Sequence, residues 1–446
     1  MSASSTTPAS PRTVSRGEAL AFWLKLGFIS FGGPAGQISI MHTELVERRR
    51  WISEQRFLHA LNYCMVLPGP EAQQLATYLG WLMHGTWGGI AAGALFVLPS
   101  LVILSVLSWI YLALGHVWFV AGAFDGMKPA VVAVVAFAVL RIGSKAIKSV
   151  AAFVLAAGAF VALLFHVPFP VILLVAGLSG LLMGRIWPQS IAGGGHASKK
   201  LAVADEPGAL PVLIGDEDEA LAHTRPSAAR FVLHLAVGLV LWAVPTFFLW
   251  QWQGSDGVYP HMALFFTQSA LLTFGGAYAV LPYVSDHAIA AGWLERGQVT
   301  DGLALGETTP GPLIMFVAFV GFVGGANQLG TWPAAWMGAV VATYFTFLPS
   351  FLFILLGAPF IERMRGELKL SSVLGGITAA VVGVILHLAF TLGRDVFLGP
   401  THNELHLLSI AIAASAFVLL WRFKVDIVAL VLGCGSLGIL ARAFTG

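Results

Sequence analysis

The chain has 446 residues, of which 57% are hydrophobic and 10% charged, with a formal net charge of +2. That apolar excess is more than a soluble domain can bury, so the sequence describes a polytopic membrane protein. No basic cluster is long enough to suggest nucleic acid, and Cys64 and Cys434 lie in apolar segments without metal-ligand spacing, which argues against a disulfide framework or a zinc site.

Residues 1–17, rich in Ser, Thr and Pro and carrying Arg12 and Arg16, read as a disordered cytoplasmic tail without a signal peptide. A first unit follows over 18–184. Its opening apolar stretch, 19–41, is interrupted by Phe31-Gly32-Gly33-Pro34, and its second, 57–83, is broken by Pro68-Gly69-Pro70. Two prolines around a glycine cannot continue a helix, since each lacks an N–H and crowds the preceding turn. The break leaves pieces of 11 and 14 residues, roughly 16 and 21 Å long at 1.5 Å per residue, so each reaches about half-way across a bilayer. Four spans are expected next, over 86–114, 127–140, 150–165 and 169–184. A polar stretch, 185–230, with the acidic run Asp216-Glu217-Asp218-Glu219, has the composition of a flexible cytoplasmic linker. One additional span, 231–250, precedes a second unit over 261–446.

The second unit repeats the first. Phe31-Gly32-Gly33 recurs 243 residues later as Phe274-Gly275-Gly276, and Pro68-Gly69-Pro70 recurs after 242 as Pro310-Gly311-Pro312. Leu98-Pro99-Ser100 recurs after 250 as Leu348-Pro349-Ser350. The odd extra span would invert the second unit relative to the first. Loop charge agrees, because cytoplasmic loops carry the Lys and Arg excess. All the basic loops, with Arg48-Arg49-Arg50, Lys145 and Lys148, Arg363 to Lys369, and Arg422 with Lys424, fall on one side if both opening stretches of each unit are re-entrant hairpins. The expected fold is all-α, with two homologous units in inverted topology, each with broken, re-entrant helices, and nine spans in all.

In hydrocarbon an open backbone survives only inside protein or along a polar cavity, so paired breaks in related halves point to a binding site. The candidates are the break residues and their neighbours: Ser30, Gly32, Gly33, Pro68, Gly69, Pro70, Gln73 and Gln74 in the first unit, and Thr273, Gly275, Gly276, Thr308, Thr309, Pro310, Gly311 and Pro312 in the second. The Gly-Gly pairs either expose N–H groups to an anion or allow close helix packing. Gln73, Gln74, Thr308 and Thr309 either face the ligand or bond between helices, and Thr309 is the expected N-cap of the half-helix after the second break. Half-helix N-termini carry about +0.5 charge each and would attract an anion. Lys25, aligned with Gln268, either pairs with the substrate or snorkels to the interface. Glu71 and Glu307 are the candidates for proton coupling, and Glu71 fits equally as a dipole partner in a first turn. No hydrolase, zincin, Walker or Cys-x-x-Cys signature occurs, so an enzyme is not expected.

With Phe31-Gly32-Gly33-Pro34, Pro68-Gly69-Pro70, Leu98-Pro99-Ser100 and their second-half partners in place, the chain resembles the chromate ion transporter family in its long two-domain form. The resemblance implies a multi-pass protein of the inner membrane that exports chromate from the cytoplasm and needs no cofactor. Expected partners are chromate, with sulfate as its tetrahedral look-alike, and the lipid bilayer, and a homo-oligomer is compatible with the pattern. The alternatives are a transporter of sulfate or another oxyanion, working outward or inward, and an anion channel.

Overall fold

The computed structural model describes residues 14–186, 212–215, 222–363, 371–398 and 405–445. Their regular structure is helical apart from one isolated β-bridge between Ile52 and Ile214. The tail up to residue 13 and the loop holding Arg365 and Lys369 lie outside the described residues.

Helices α1 (Arg16–Ile29) and α2 (Gly33–His42) are the arms of the first hairpin. A π-helical turn, Thr43–Arg48, extends α2 until Arg49 meets Glu18 at 3.3 Å and Trp51 meets Phe22, so both arms begin and end at one face. The second hairpin joins α3 (Glu54–Val66) to the start of α4 (Glu71–Leu114), with Tyr63 packed edge-on against Tyr78. The long α4 is not one rod. His84 and Gly85 leave the helical backbone, and a Cβ built on Gly80 would strike Ala92 while one on Gly89 would strike the Thr77 carbonyl. Those neighbours require antiparallel helices, so 71–83 completes the hairpin and 86–114 makes the first full crossing.

Three more helices complete the unit: α5 (Trp118–Ala146), α6 (Val150–Leu164) and α7 (Phe169–Ile186). The expected span 127–140 proves too short. Helix α5 runs for 29 residues and carries Asp125 and Lys128 within it, each beside an opposite charge. Arg442 lies 2.7 Å from Asp125, and Asp301 lies 3.4 Å from Lys128.

Of the stretch 185–230, residues 212–215 are pinned rather than free. Leu213 and Ile214 donate to the carbonyls of Arg50 and Trp51, and Ser53 donates to that of Ile214. The apolar side chains of Leu213 and Ile214 pack on the core, which the polarity of the surrounding stretch conceals. The acidic run lies outside the described residues.

Helix α8 (Ala228–Gln253) is largely exposed along its length and rests on the second unit, with Trp242 donating to Thr267 at 3.1 Å. The second unit opens with the hairpin of α9 (Val258–Leu271) and α10 (Ala277–Ala290), whose arms are joined by the stacked rings of Phe265 and His287. Its other hairpin joins α11 (Arg296–Thr308), through a short 3-10 turn (Leu313–Met315), to α12 (Phe316–Leu329). Asn327 and Gln328 reach back to the carbonyls of Trp293 and Gly292 and tie the two ends together. Then come α13 (Trp332–Arg363), α14 (Ser371–Leu398), α15 (Leu407–Val418) and α16 (Ile427–Thr445).

The inversion is visible in the contacts of α13. Near its start Ala334 accepts from Tyr259 of the second unit's first hairpin, and Trp332 meets Trp109 at the far end of α4. Near its close Ile361 and Glu362 bond to His59 and Tyr78 of the first unit's second hairpin. The hairpins of the two units therefore enter from opposite faces and meet in the middle.

Candidate functional site

The four hairpin tips close on one another across the unit boundary. Gly69 donates its N–H to the carbonyl of Thr273 at 2.7 Å, and Gly311 donates its N–H to that of Ser30 at 2.8 Å. Gly69 is the repeat partner of Gly311, and Ser30 that of Thr273, so the two bonds form one reciprocal pair. Each glycine has positive φ, 125° and 105°, which an L side chain rarely adopts. Each also faces the serine of the opposite unit's Leu-Pro-Ser motif. A Cβ on Gly69 would stand 2.5 Å from the Ser350 hydroxyl, and one on Gly311 would stand 2.6 Å from the Ser100 Cβ. Three repeated motifs thus converge at each of two seams.

Gln37, on α2, binds one seam from both sides. Its Nε2 donates to the Gly311 carbonyl at 2.6 Å and to that of Ser30 at 3.3 Å. At the other seam Gln74 donates Nε2 to the Pro68 carbonyl at 2.7 Å, tying the start of α4 to its own break. Pro70 precedes the first residue of α4, while Gln73 turns inward to Thr77 at 3.0 Å. The hydroxyls of Ser30, Ser100 and Ser350 and the amide oxygens of Gln37, Gln73 and Gln74 are buried without a hydrogen-bond partner. Such groups are costly in a closed protein unless something else pairs with them.

The remaining expected residues separate into two sets. Gly32, Gly33 and Gly276 face open space, with nothing within 4 Å of a built Cβ, whereas Gly275 faces Val381. Thr308 and Thr309 fold back onto α11, donating to the carbonyls of Ala304 and Gly306. Thr309 is not an N-cap. It ends α11, and the chain bends through Pro310 and Gly311, where φ turns positive, until the 3-10 turn begins after Pro312. A second proline at 312 delays the new helix, whereas Pro70 leads straight into α4. Lys25 lies on the exposed face of α1 with Leu24 and Phe28 and does not join the tips.

Two acidic residues flank the breaks. Glu71 stands half-buried in the first turn of α4, and buried Glu307 accepts from the Tyr278 hydroxyl at 2.6 Å. At the hairpin base, outside the membrane, burial opposes ionisation of Glu44, yet Arg48 and Arg49, at 2.7 and 3.5 Å, prevail and hold its carboxyl below the usual range. Sequence reasoning missed Gln37 and Tyr278, which the repeat does not mark. It used Ser100 and Ser350 only as landmarks, although their recurrence was the signal that could have placed them here.

A family model described as chromate transporter matches residues 17–181 and 260–439. The chain is 33% identical to a chromate transport protein of Pseudomonas aeruginosa over 438 residues, 97% of this chain and 94% of that protein. It is 28% identical to a probable chromate transport protein of Synechococcus elongatus, with 84% of each covered. A chromate transport protein of Cupriavidus metallidurans is 26% identical, over 84% of this chain and 81% of that one. No solved structure matches the chain.

Proposed function

The chain belongs to the chromate transporter family, and from that premise we propose that it is a secondary transporter exporting chromate across the inner membrane, with the substrate bound between the four hairpin tips. The observation that carries this reading is the reciprocal pair of cross-unit bonds, Gly69 to Thr273 and Gly311 to Ser30. Hairpins entering from opposite faces and closing on each other at their tips form two thin barriers in place of one thick wall. Parting the seam on one side opens the site to that side while the other seam stays shut, which is alternating access by movement of one unit against the other.

The chemistry of the tips suits a small oxyanion. Gly32, Gly33 and Gly276 leave backbone exposed to open space, hydroxyls stand at both seams, and helix N-termini converge without a full positive charge in direct contact. With the cytoplasm negative, moving an anion outward gains roughly 2.3 kcal/mol per 100 mV for each negative charge it carries, so the membrane potential alone can drive export. Glu71 and Glu307 would add proton exchange to that drive.

The test is uptake of radiolabelled chromate into everted membrane vesicles carrying the protein, with and without the membrane potential. Saturable accumulation that disappears when the potential is collapsed is the expected result. Accumulation no greater than in vesicles without the protein would overturn the proposal, and flux that does not saturate would indicate a channel.

A further inference from the structure

A fully deprotonated tetrahedral oxyanion offers only acceptors, so each group binding it has to donate. The tips do not follow that rule. Gln37 has its amide orientation fixed, since Nε2 faces two carbonyls, and its Oε1 is left buried and unpartnered. Gln74 is fixed in the same way by the Pro68 carbonyl, with the same result. Both residues are 0% exposed. One of these oxygens belongs to each seam, Gln37 where Ser30 meets Gly311 and Gln74 beside Gly69, and each seam also holds unpartnered hydroxyls, Ser30 and Ser100 at the first and Ser350 at the second. The seams thus pair a group that can only accept with a group that can donate.

Resting on the reading of the tips as an oxyanion site, we propose that the site recognises its substrate by the proton it carries, binding the singly protonated monoanion. The substrate O–H donates to a glutamine Oε1, and its bare oxygens accept from Ser100 or Ser350 and from backbone N–H groups. No bond to the central atom is made or broken. Hydrogen chromate loses its proton near neutrality, whereas hydrogen sulfate keeps its proton only in strong acid. At cellular pH the acceptor oxygens would therefore confront sulfate with lone pairs opposite lone pairs. Leaving one such buried acceptor unpaired costs about tenfold or more in affinity. Discrimination between two anions of the same shape then follows from acidity rather than size.

Titratable or charged groups around the tips are Cys64, Glu71, Tyr278, Glu307 and Arg141. Titration of any of these would shift the binding of all ligands together, and the experiment exploits that. Equilibrium binding of radiolabelled chromate to the full-length purified protein is measured from mildly acidic to mildly alkaline pH, with displacement by sulfate and by selenite, an oxyanion that keeps its last proton to more alkaline pH. Affinity for total chromate is expected to fall about tenfold per pH unit above the hydrogen chromate pKa. Selenite is expected to hold its affinity further into the alkaline range, and sulfate to displace poorly throughout. Gln74→Met keeps the bulk and removes the acceptor together with the bond to the Pro68 carbonyl, so it is expected to melt at a lower temperature and, in the folded protein, to lower the preference for chromate over sulfate severalfold.

Sulfate displacing chromate as well as chromate itself does, a pH-independent affinity, or chromate and selenite falling in parallel would each overturn the inference while leaving an oxyanion transporter. An unaltered preference in a folded Gln74→Met protein would overturn it too. Failure to bind chromate at any pH, together with no vesicle uptake, would instead overturn the transport reading on which it rests.

Discussion

Replacing Gly311 or Gly69 by alanine tests the seams most directly, and the structure predicts unequal results. At both positions alanine has to adopt positive φ, 105° at Gly311 and 125° at Gly69, which costs roughly 1–3 kcal/mol. The new methyl group also needs space. At Gly69 it meets the Ser350 hydroxyl at 2.5 Å, which can rotate away, and the Gln74 amide nitrogen at 2.7 Å, a side-chain end that can shift by a few tenths of an ångström with its bond to the Pro68 carbonyl kept. At Gly311 it meets the Ser100 Cβ at 2.6 Å, which moves only with its helix, adding an overpacking penalty of roughly 1–3 kcal/mol. Gly311→Ala should therefore cost roughly 4 kcal/mol and Gly69→Ala roughly 2. Thermal unfolding of the purified proteins in detergent would rank them, and vesicle uptake would report the loss of transport. Ser100→Gly should relieve the collision but not the φ strain, giving a compensating coupling of roughly 1–3 kcal/mol in a double-mutant cycle. A Gly311→Ala protein that melts and transports like the parent, or a cycle with zero coupling, would refute the packing argument.

Three further outcomes are expected. In a background lacking Cys64 and Cys434, a cysteine at Arg48 should react with an impermeant maleimide only from the cytoplasm, and one at Ala291 only from outside; reaction of both from one side would rule out inverted units. Lys128→Met leaves Asp301, whose side chain is 6% exposed, without its cation. Destabilisation of roughly 3 kcal/mol is expected, the low end for a broken buried pair because Lys128 is itself partly exposed, with recovery when Asp301→Asn is added; equal melting of parent and single variant would show the pair to be idle. Glu71→Gln or Glu307→Gln should change the pH profile of uptake, and identical profiles in all three proteins would remove both carboxylates from proton coupling.

Much of this architecture was legible in the sequence because its signals are covalent or compositional. Paired prolines forbid a continuous helix wherever they fall, and the loop charges only make sense if 19–41 and 57–83 return to the face from which they entered. What escaped is what depends on three-dimensional pairing. Asp125 and Lys128 resemble a membrane boundary until Arg442 and Asp301 are seen beside them. Gln37 aligns with Val280 in the second unit, so the repeat argument, which rewards only positions shared by both halves, passed over the residue that binds a seam from both sides. Thr309 has the chemistry of an N-cap, but Pro312 postpones the helix it would have capped. Lys25 could be read either way from sequence, and its place on the exposed face of α1 keeps it away from the tips.

The reciprocal bonds at Gly69 and Gly311 also bear on how such a molecule could have arisen. Neither unit can close its own tips, because the carbonyl that each glycine needs belongs to the other half, lying upside down to it. By the same geometry a single unit would need a second one inserted in the opposite orientation. A fused chain with one odd helix between the halves, the place α8 occupies, fixes that orientation at synthesis. On this view α8 needs little contact with the rest of the molecule, and its nearly bare surface is what a strap, as opposed to a structural wall, would be expected to keep.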